Sequence, residues 1–381
     1  MNRTMNKTMN KCVVVEYLEG SLSDGGAETL VKDYVQLLDK DKFEPIILVD
    51  WIFKNSANYK RLKDSNIKII SLYPSYSIFW RAVNKFFRKK YLDGKLKKVL
   101  KKIKPNVLHI HLAALNHVVE AREQLQDVKL FYTCHSEPRV YFDEKKGEDQ
   151  AARTLLKENN LVFIALHKDM ATEIRERFNT NNVAVIKNGI DADRFKNIKE
   201  TKEEIKQQLG MEQGSFVVGH IGRFVPVKNH KFLLEVFDEI TKVEPNSELL
   251  LIGTGEDEPL VRQWIQEKGL TAKVKILSNR TDIPQLLKAM DVFVFPSLFE
   301  GFGIVLVEAQ VANLRCIVSD NLNEEVFLSK FVIPTSLKES PKVWAQRALD
   351  QTLFSDYPDR LAEYDIKKEI KNLENLYLGV R

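Results

Sequence analysis

The sequence has few cysteines and no long apolar run, and these two absences narrow the class of protein. The three cysteines among 381 residues, Cys12, Cys134 and Cys316, favour reduced, buried thiols over a disulfide framework or a metal site. No stretch reaches the roughly 20 apolar residues that a membrane-spanning helix needs. The first residues, MNRTMNKTMNK, also lack the apolar core of a signal peptide. We therefore expect a cytoplasmic protein in which residues 1–11 form a flexible tail.

A strong charge of either sign is missing as well. The chain carries 58 basic and 53 acidic residues, a balance that does not indicate a nucleic acid partner. Basic residues nevertheless crowd between Arg81 and Lys104, where Asp93 is the only acid, and aromatic residues precede them from Tyr73 to Trp80. This basic segment predicts either a solvated helical face or a docking surface for an anionic membrane, which would place the protein on the inner face of the plasma membrane.

Length and periodicity predict two α/β domains. A chain of 381 residues exceeds the size at which one hydrophobic core stops growing. Short apolar runs alternate with amphipathic helical stretches, which is typical of parallel sheets covered by helices. The predicted strands are 12–17, 45–49, 67–71, 107–111, 129–133, 161–165 and 183–186 in the first domain, and 216–221, 248–252, 274–277, 292–295 and 316–319 in the second. The charged segment after Gly189 predicts the crossing, with the first domain at 12–195 and the second at 196–361.

Doubly wound units of this kind bind ligands beyond the carboxyl ends of their strands, so we expect the functional residues in the loops that follow the strands. The loop after the first strand lacks the GxGxxG pattern, which argues against a nicotinamide dinucleotide enzyme. It does contain Gly25 and Gly26 just before a predicted helix. Their bare N–H groups suit an anion, although a simple tight turn would use the same residues.

A second loop, GHIGRFVPVKNH, places Arg223 and Lys228 between a strand and a helix. The fork-shaped guanidinium and the compact ammonium suit a diphosphate, while a structural salt bridge is the alternative. The next strand ends in LIGTGE, where Gly253 would let a ligand come close to the backbone.

The segment SLFEGFGIVLVEAQ carries two acids eight positions apart. Glu300 lies in a glycine-containing turn after a strand, and Glu308 lies one turn into the helix predicted to begin near Ile304. The helix start offers N–H groups to a phosphate, with a carboxylate on either side to accept from hydroxyl groups. This spacing suits a nucleotide sugar, and two unrelated surface acids are the alternative.

Taken together, these segments resemble the E-x7-E signature of the retaining glycosyltransferases of family 4, also called group 1. The likeness rests on DGGAE, HIH, TCHSEP, IKNGID, GRFVPVKNH, LIGTGE and DVFVFPSLFEGFG, and spans about residues 12 to 320. It implies the GT-B fold, in which two doubly wound Rossmann-like α/β domains face a central cleft and a C-terminal helix, here about 362–381, returns to the first domain. The sequence as a whole resembles enzymes of bacterial capsular and exopolysaccharide synthesis.

The resemblance also implies roles for particular residues. Glu300 resembles the acid that contacts donor-sugar hydroxyls, and Glu308 the acid that binds the ribose diol. Arg223 and Lys228 match the diphosphate-binding pair. The remaining matches are Gly26 and Gly253 beside the donor, the turn Phe302, Gly303 and Ile304 whose N–H groups meet sugar and phosphate, His135 as a cleft histidine near the donor sugar, and His111 and Asn188 at the acceptor or cleft. A satisfied buried histidine is the alternative for His135, and a capping role for Asn188.

The family likeness implies transfer of a sugar with retention from a nucleotide diphosphate, expected to be UDP, to a glycan or lipid-linked acceptor. It implies no cofactor and no metal. Asp191 and Asp193 form an Asp-x-Asp pattern without evident metal geometry, and we interpret them as a turn and a cap. The segment SDNLNEEVF replaces the glycine-rich segment of many relatives, and no roles are assigned to it. Two alternatives stay open: a nucleotide-sugar 2-epimerase of the same architecture, and a non-catalytic protein that binds membrane surfaces.

Overall fold

The computed structural model describes residues 11–23, 25–73, 85–300 and 302–380. The chain divides into two compact units. Met1–Lys187 and Lys367–Arg381 form the N-terminal unit, and Asn188–Ile366 form the C-terminal unit. Most of the predicted tail, together with Asp24, part of the aromatic and basic segment, and Gly301, lies outside the described residues.

The two crossings between the units lie at Lys187/Asn188 and Ile366/Lys367, rather than at 195/196 and 361/362. The physical reason is a short pairing next to them. The amide of Ile190 donates to the carbonyl of Tyr364 (2.7 Å), and the amide of Ile366 donates to the carbonyl of Ile190 (3.3 Å). A Cβ on Gly189 would lie 2.4 Å from the Cα of Ile366, so only glycine permits this approach.

The N-terminal unit contains a seven-stranded parallel sheet in the order β3-β2-β1-β4-β5-β6-β7. Its strands are β1 Cys12–Ser21, β2 Phe43–Trp51, β3 Lys68–Ser71, β4 Val107–His111, β5 Lys129–Thr133, β6 Val162–Ala165 and β7 Val183–Val185. Its helices are α1 Gly26–Leu37, α2 Ala57–Asp64, α3 Lys85–Ile103, α4 Leu115–Val118, α5 Pro138–Glu144, α6 Lys146–Asn159 and α7 Lys168–Phe178, with a 3-10 helix at Val119–Leu125.

The C-terminal unit contains a six-stranded parallel sheet in the order β10-β9-β8-β11-β12-β13. Its strands are β8 Phe216–Ile221, β9 Ser247–Ile252, β10 Val274–Leu277, β11 Val292–Phe295, β12 Arg315–Ser319 and β13 Val332–Thr335. Its helices are α8 Asp193–Lys196, α9 Lys202–Gln208, α10 His230–Val243, α11 Glu258–Glu267, α12 Ile283–Ala289, α13 Ile304–Val311 and α14 Pro341–Leu349, with 3-10 turns at Pro226–Lys228, Glu324–Val326 and Leu361–Tyr364. The last helix, α15 Ile366–Leu378, runs into the N-terminal unit.

The predicted fold class is confirmed, because both units are parallel sheets connected through helices. Both sheets reverse their strand order, at β1/β4 and at β8/β11, and the carboxyl ends of strands at such a point are the usual ligand-binding edge. The sequence did not predict β13. This strand is short, contains Pro334 and lies at the sheet edge, where proline is tolerated but the local strand signal is weak.

In each unit the hydrophobic core lies between the sheet and the helices that cover it, where apolar side chains of the strands pack against apolar side chains of the helices. In the N-terminal unit, Leu18 and Val49 from the strands pack with Val31 and Val35 of α1. In the C-terminal unit, Trp344 of α14 is fully buried and donates from its indole N–H to the carbonyl of Ser336 (3.0 Å). These packed faces hold the strand ends, and so the loops that follow them, in place.

The basic helix α3 has one buried and one exposed face. Leu92, Leu96 and Leu100 are buried at helical spacing. Exposed lysines occupy the other positions, at Lys90, Lys95, Lys98, Lys101, Lys102 and, just past the helix, Lys104. Asp93 is paired with Lys89 (2.8 Å) and His117 (2.7 Å). Among the described residues, no helix has both the length and the apolar character needed to cross a bilayer.

Candidate functional site

Apart from Asn188, the predicted site residues of the C-terminal unit lie on the turns after β8, β9 and β11 or in helix α13, which follows β11. These three strands are neighbours in the sheet. The turn after β8 is bonded to the other two. The amide of Phe224 donates to the carbonyl of Thr254 (3.0 Å), and the amide of Leu298 donates to the carbonyl of Val227 (2.8 Å). The Asn229 side chain also donates to the carbonyl of Pro296 (3.2 Å). Three separate sequence motifs therefore form one connected edge.

Glycines allow two of these turns to interlock. A Cβ on Gly253 would lie 1.9 Å from the carbonyl oxygen of Gly222, and a Cβ on Gly255 would lie 2.2 Å from that of Phe224. Real side chains do not fit at such distances. The structure thus gives Gly253 a packing reason to be glycine, and its predicted contact with a donor stays a prediction.

The structure brings Lys228 and Glu300 into direct contact. The Lys228 Nζ lies 2.5 Å from the Glu300 Oε1, and each side chain is only 14% exposed. The same ammonium lies 4.8 Å from the centre of the Phe295 ring, within the range of a cation–π contact. The sequence assigned one residue to a phosphate and the other to a sugar, so the ion pair between them was not foreseen.

Arg223 is different, because its side chain is exposed and makes no hydrogen bond or ion pair with any described residue. Arg223 follows β8 and precedes Lys228 on the same loop, and its guanidinium is available to an anion. The alternative of a structural salt bridge therefore applies to Lys228 and not to Arg223.

Helix α13 begins next to Glu300. Gly303 precedes it with a φ of +68°, a left-handed conformation that favours glycine, and no described side chain caps this N-terminus. Phe302 is buried and its ring stacks on Tyr364, with 5.5 Å between ring centres. The Phe302 side chain is thus packed into the unit, which leaves only its backbone for the predicted ligand contact. Glu308 is partly exposed one turn along the helix.

Two buried histidines beneath Lys228 were missed by the sequence interpretation. His220 donates from Nδ1 to the carbonyl of Val294 (2.9 Å), and its ring lies 5.0 Å from that of His230. The Nε2 atoms of both rings are buried without a hydrogen bond in the described part of the chain. Burial, followed by the charge of Lys228, lowers the pKa of His230 to about 4. Both rings are therefore neutral near pH 7 and add no charge beside the ammonium. The only sequence signal was a polar residue within the apolar run VVGHI.

In the N-terminal unit, α1 begins at Gly26 and Gly25 precedes it, so the two glycines stand at a helix start as the sequence predicted. A carboxylate lies at the same helix end. The hydroxyl of Ser23 donates to Glu28 Oε1 (2.5 Å), and a Cβ on Gly25 would lie 2.4 Å from Glu28 Oε2. An anion that approached these amides would therefore meet Glu28, and the role predicted for Gly26 stays a prediction.

His111 and His135 are in contact with each other. His111 Nδ1 lies 3.0 Å from His135 Nε2, and His111 Nε2 lies 2.8 Å from Glu16 Oε2. Glu16, His109 and His111 are fully buried, and their ligand atoms lie close enough together to hold a metal ion. The expectation that no metal is needed stays a prediction. Sequence reasoning missed Glu16, whose signal was an acid inside the apolar strand CVVVEYL.

Asn188 lies at the crossing between the units and is 8% exposed. Its Oδ1 has no hydrogen bond partner among the described residues, so it does not act as a cap through this atom. Asp191 accepts from the amide of Asp193 (3.2 Å) in a local turn, as expected.

Comparisons with known proteins agree with this fold. The model of Glycosyltransferase Family 4 matches residues 24–194, and that of Glycosyl transferases group 1 matches residues 201–344. A putative glycosyltransferase, EpsF of Bacillus subtilis, is 27% identical over 98% of this chain and 97% of its own. A capsular polysaccharide biosynthesis glycosyltransferase, CapH of Staphylococcus aureus, is 24% identical over 96% of this chain and 99% of its own. The crystal structure of Anabaena HepE in complex with UDP and glucose superposes with a TM-score of 0.71, at 20% identity, and covers 96% of each chain.

Two parallel Rossmann-like units with these structural neighbours define the GT-B fold. The two family models and the curated relatives define the protein as a glycosyltransferase. The chain belongs to glycosyltransferase family 4, the group 1 glycosyltransferases.

Proposed function

We propose that this protein transfers a sugar with retention from a nucleotide diphosphate, UDP, to a glycan or lipid-linked saccharide acceptor during bacterial capsule or exopolysaccharide synthesis. The observation that carries the proposal is the Lys228–Glu300 pair at the same edge of the sheet as Arg223, whose side chain has no partner among the described residues. The capsular relative supports the pathway, and the UDP complex of HepE supports the nucleotide.

The chemistry requires stabilisation of a leaving group. As the anomeric C–O bond breaks, negative charge grows on the departing diphosphate. Arg223, Lys228 and the N-terminus of α13 supply positive charge and N–H groups on the same edge of the unit. A single well-placed donor of this kind contributes about 3 to 4 kcal/mol to the transition state. These protein groups can therefore take the part that a metal ion plays in other transferases.

The Lys228–Glu300 ion pair implies an exchange of partners when a donor binds. For Lys228 to contact a diphosphate, its ammonium has to leave Glu300 or to donate to both the Glu300 carboxylate and the diphosphate. The Glu300 carboxylate is then available to accept hydrogen bonds from sugar hydroxyls. A donor that carries both a diphosphate and a sugar satisfies both residues, whereas UDP alone leaves the carboxylate without a partner.

For the transfer step, we propose front-face attack. The acceptor oxygen forms a bond to the anomeric carbon on the face from which the diphosphate departs, and the acceptor proton passes to the departing phosphate oxygen. A retaining hydrolase would instead hold two carboxylates about 5 Å apart across the bond, one of them as nucleophile. Here Glu300 and Glu308 are instead predicted to contact opposite ends of the donor, so we assign Glu300 a role in orienting the sugar.

The test is release of UDP or GDP from a panel of nucleotide sugars, with and without saccharide acceptors, combined with NMR of the product. We expect acceptor-dependent release, an anomeric configuration equal to that of the donor, and no loss on addition of EDTA. Lys228→Met should lose the activity. Inversion at the anomeric carbon would refute retention, and conversion of the donor sugar without an acceptor would show an epimerase instead.

We further propose that α3 contacts an anionic membrane. Its exposed lysines opposite a buried leucine face support this partner, because each lysine near acidic lipid contributes on the order of 1 kcal/mol. Vesicles with phosphatidylglycerol should sediment the protein at low salt, and vesicles of phosphatidylcholine should not. Equal binding to both vesicle types, or binding unchanged when Lys98, Lys101 and Lys102 become glutamine, would contradict the proposal.

A further inference from the structure

His220 lies beneath the lysine of the candidate site and is held by the backbone of the neighbouring strand. Its ring is fully buried in β8, and its Nδ1 lies 2.9 Å from the carbonyl oxygen of Val294 in β11. A carbonyl oxygen only accepts hydrogen bonds, so Nδ1 carries a proton whatever the charge of the ring. A contact with the backbone therefore sets the position of this proton.

The other ring nitrogen of His220, Nε2, carries a lone pair. A second proton there would place a positive charge in a fully buried ring next to the Lys228 ammonium, at a large cost. Burial first, then His230 and Lys228, hold the pKa of His220 well below its usual range, and the bond to Val294 opposes them only in part. Nε2 is buried and accepts no hydrogen bond within the described part of the chain. It is thus an acceptor that suits a donor from nearby.

Gly222 brings the side chain of Lys228 next to this nitrogen. A Cβ on Gly222 would lie 3.1 Å from His220 Nε2 and 3.2 Å from both Cδ and Cε of Lys228. These three atoms surround the same point, so the end of the lysine stem is a neighbour of the imidazole nitrogen. The ammonium lies one bond beyond Cε, and the flexible stem lets it turn from one acceptor to another.

Phe295 keeps the ammonium near His220. The Phe295 ring centre lies 4.8 Å from the Lys228 Nζ and 5.6 Å from the centre of the His220 ring. The face of an aromatic ring attracts a cation. The Glu300 carboxylate now accepts from this ammonium at 2.5 Å. An ammonium that leaves Glu300 therefore remains beside Phe295, within reach of the imidazole.

We infer that His220 is a positioning residue, whose Nε2 accepts a hydrogen bond from the Lys228 ammonium when that ammonium leaves Glu300. A neutral acceptor holds the lysine in place without balancing its charge, whereas the Glu300 carboxylate does balance it. The ammonium is then oriented and keeps its full attraction for an anion. That this anion is the diphosphate of a nucleotide sugar rests on the proposed function, but the hydrogen bond to His220 does not.

The first test reads the ring nitrogen and needs no nucleotide. The protein has seven histidines, so the 15N signals of His220 in full-length protein labelled with 15N-histidine can be assigned with the variant His220→Phe. We expect a protonated Nδ1 and an unprotonated Nε2 at pH 7.5. Glu300→Leu removes the carboxylate acceptor, so the Nε2 signal should move upfield as it accepts from the ammonium, and adding Lys228→Met should abolish this shift. A proton on Nε2 in the wild type, or a signal that does not move in Glu300→Leu, overturns the inference.

The second test measures the affinity for UDP by calorimetry. His220→Phe keeps the volume of the ring and should weaken UDP binding about tenfold, because a hydrogen bond to a charged group is lost. In a Lys228→Met background the same substitution should change the affinity by less than about twofold. Gly222→Ala should also weaken binding, since the new methyl group separates Nε2 from the lysine stem. His230→Phe is the matched control, because it makes the same change in the neighbouring buried histidine, and should stay within about twofold of wild type.

The outcomes separate a positioning role from a structural one. An equal loss of UDP affinity from His220→Phe with and without Lys228 would show a structural effect alone, and a loss from His230→Phe instead of His220→Phe would place the acceptor on the wrong ring. Either result overturns the inference. If the wild-type protein binds no UDP, the proposed donor is wrong, and the spectra of Glu300→Leu still decide whether His220 accepts from Lys228.

Discussion

Replacing Glu300 by glutamine should separate nucleotide binding from sugar transfer. The Lys228 ammonium is engaged by Glu300 at 2.5 Å, and both side chains are largely buried. UDP has to compete with that carboxylate for the ammonium. Glu300→Gln removes the competing charge, so UDP should bind more tightly to the variant, whereas sugar transfer should be lost because Glu300 no longer orients the donor sugar.

The size of the gain follows from the contact that is exchanged. A hydrogen bond between charged groups contributes about 1.5 to 3 kcal/mol. Each side chain retains some exposure, so the lower part of this range applies. A difference of about 1.4 kcal/mol is tenfold in affinity. We therefore expect a Kd for UDP about tenfold lower in Glu300→Gln, together with a loss of transfer of about a hundredfold or more.

Isothermal titration calorimetry with UDP measures the first effect, and the nucleotide-release assay measures the second. Glu256→Gln is the control, because Glu256 is an exposed acid on the turn after β9 and makes no ion pair with any described residue. It reports the general effect of one less negative charge near the site. We expect its affinity for UDP to stay within about twofold of wild type, since exposed charges are screened by salt.

Unchanged or weaker binding of UDP to Glu300→Gln would refute the reasoning. It would mean that Lys228 contacts the diphosphate while it keeps its bond to Glu300, or that UDP binds elsewhere. Lys228→Met distinguishes these two cases, because UDP affinity falls only in the first.

Three further predictions concern residues with clear surroundings. Arg223→Ala should weaken UDP binding about tenfold or more but change the free energy of unfolding by less than about 0.5 kcal/mol, because this side chain is exposed and unpaired within the described residues; a large loss of stability in urea unfolding would contradict it. Gly253→Ala should destabilise by about 3 kcal/mol, since its Cβ would lie 1.9 Å from a carbonyl oxygen, whereas Gly94→Ala, which meets nothing within 4 Å, should not destabilise. The pKa of His230 falls from 6.5 to about 4 on folding, so the unfolded state binds more protons between these values and the free energy of unfolding falls as the pH drops through this window. His230→Phe should remove up to about 3 kcal/mol of this pH dependence. If urea unfolding gives the same dependence of the free energy of unfolding on pH for the variant and the wild type, the prediction is wrong.

Much of the fold was predictable because its signals are local. The strands at 107–111, 129–133, 216–221, 274–277 and 292–295 have the predicted bounds in the structure. Each is a short apolar run bounded by turn residues, and periodicity detects such runs without knowledge of the rest of the chain. The proline in β13 weakened that signal and the strand was missed.

The sequence alone determined two parallel α/β units and the turns that carry Arg223, Lys228 and Glu300, because these depend on residue types within a few positions of one another. Only the tertiary structure decided which groups meet. Lys228 and Glu300 are 72 positions apart, and Glu16 and Tyr377 are 361 positions apart. Such contacts depend on the order of strands in the sheets and on the return of α15 to the N-terminal unit. No local pattern encodes that order, because it is set by the packing of the whole chain.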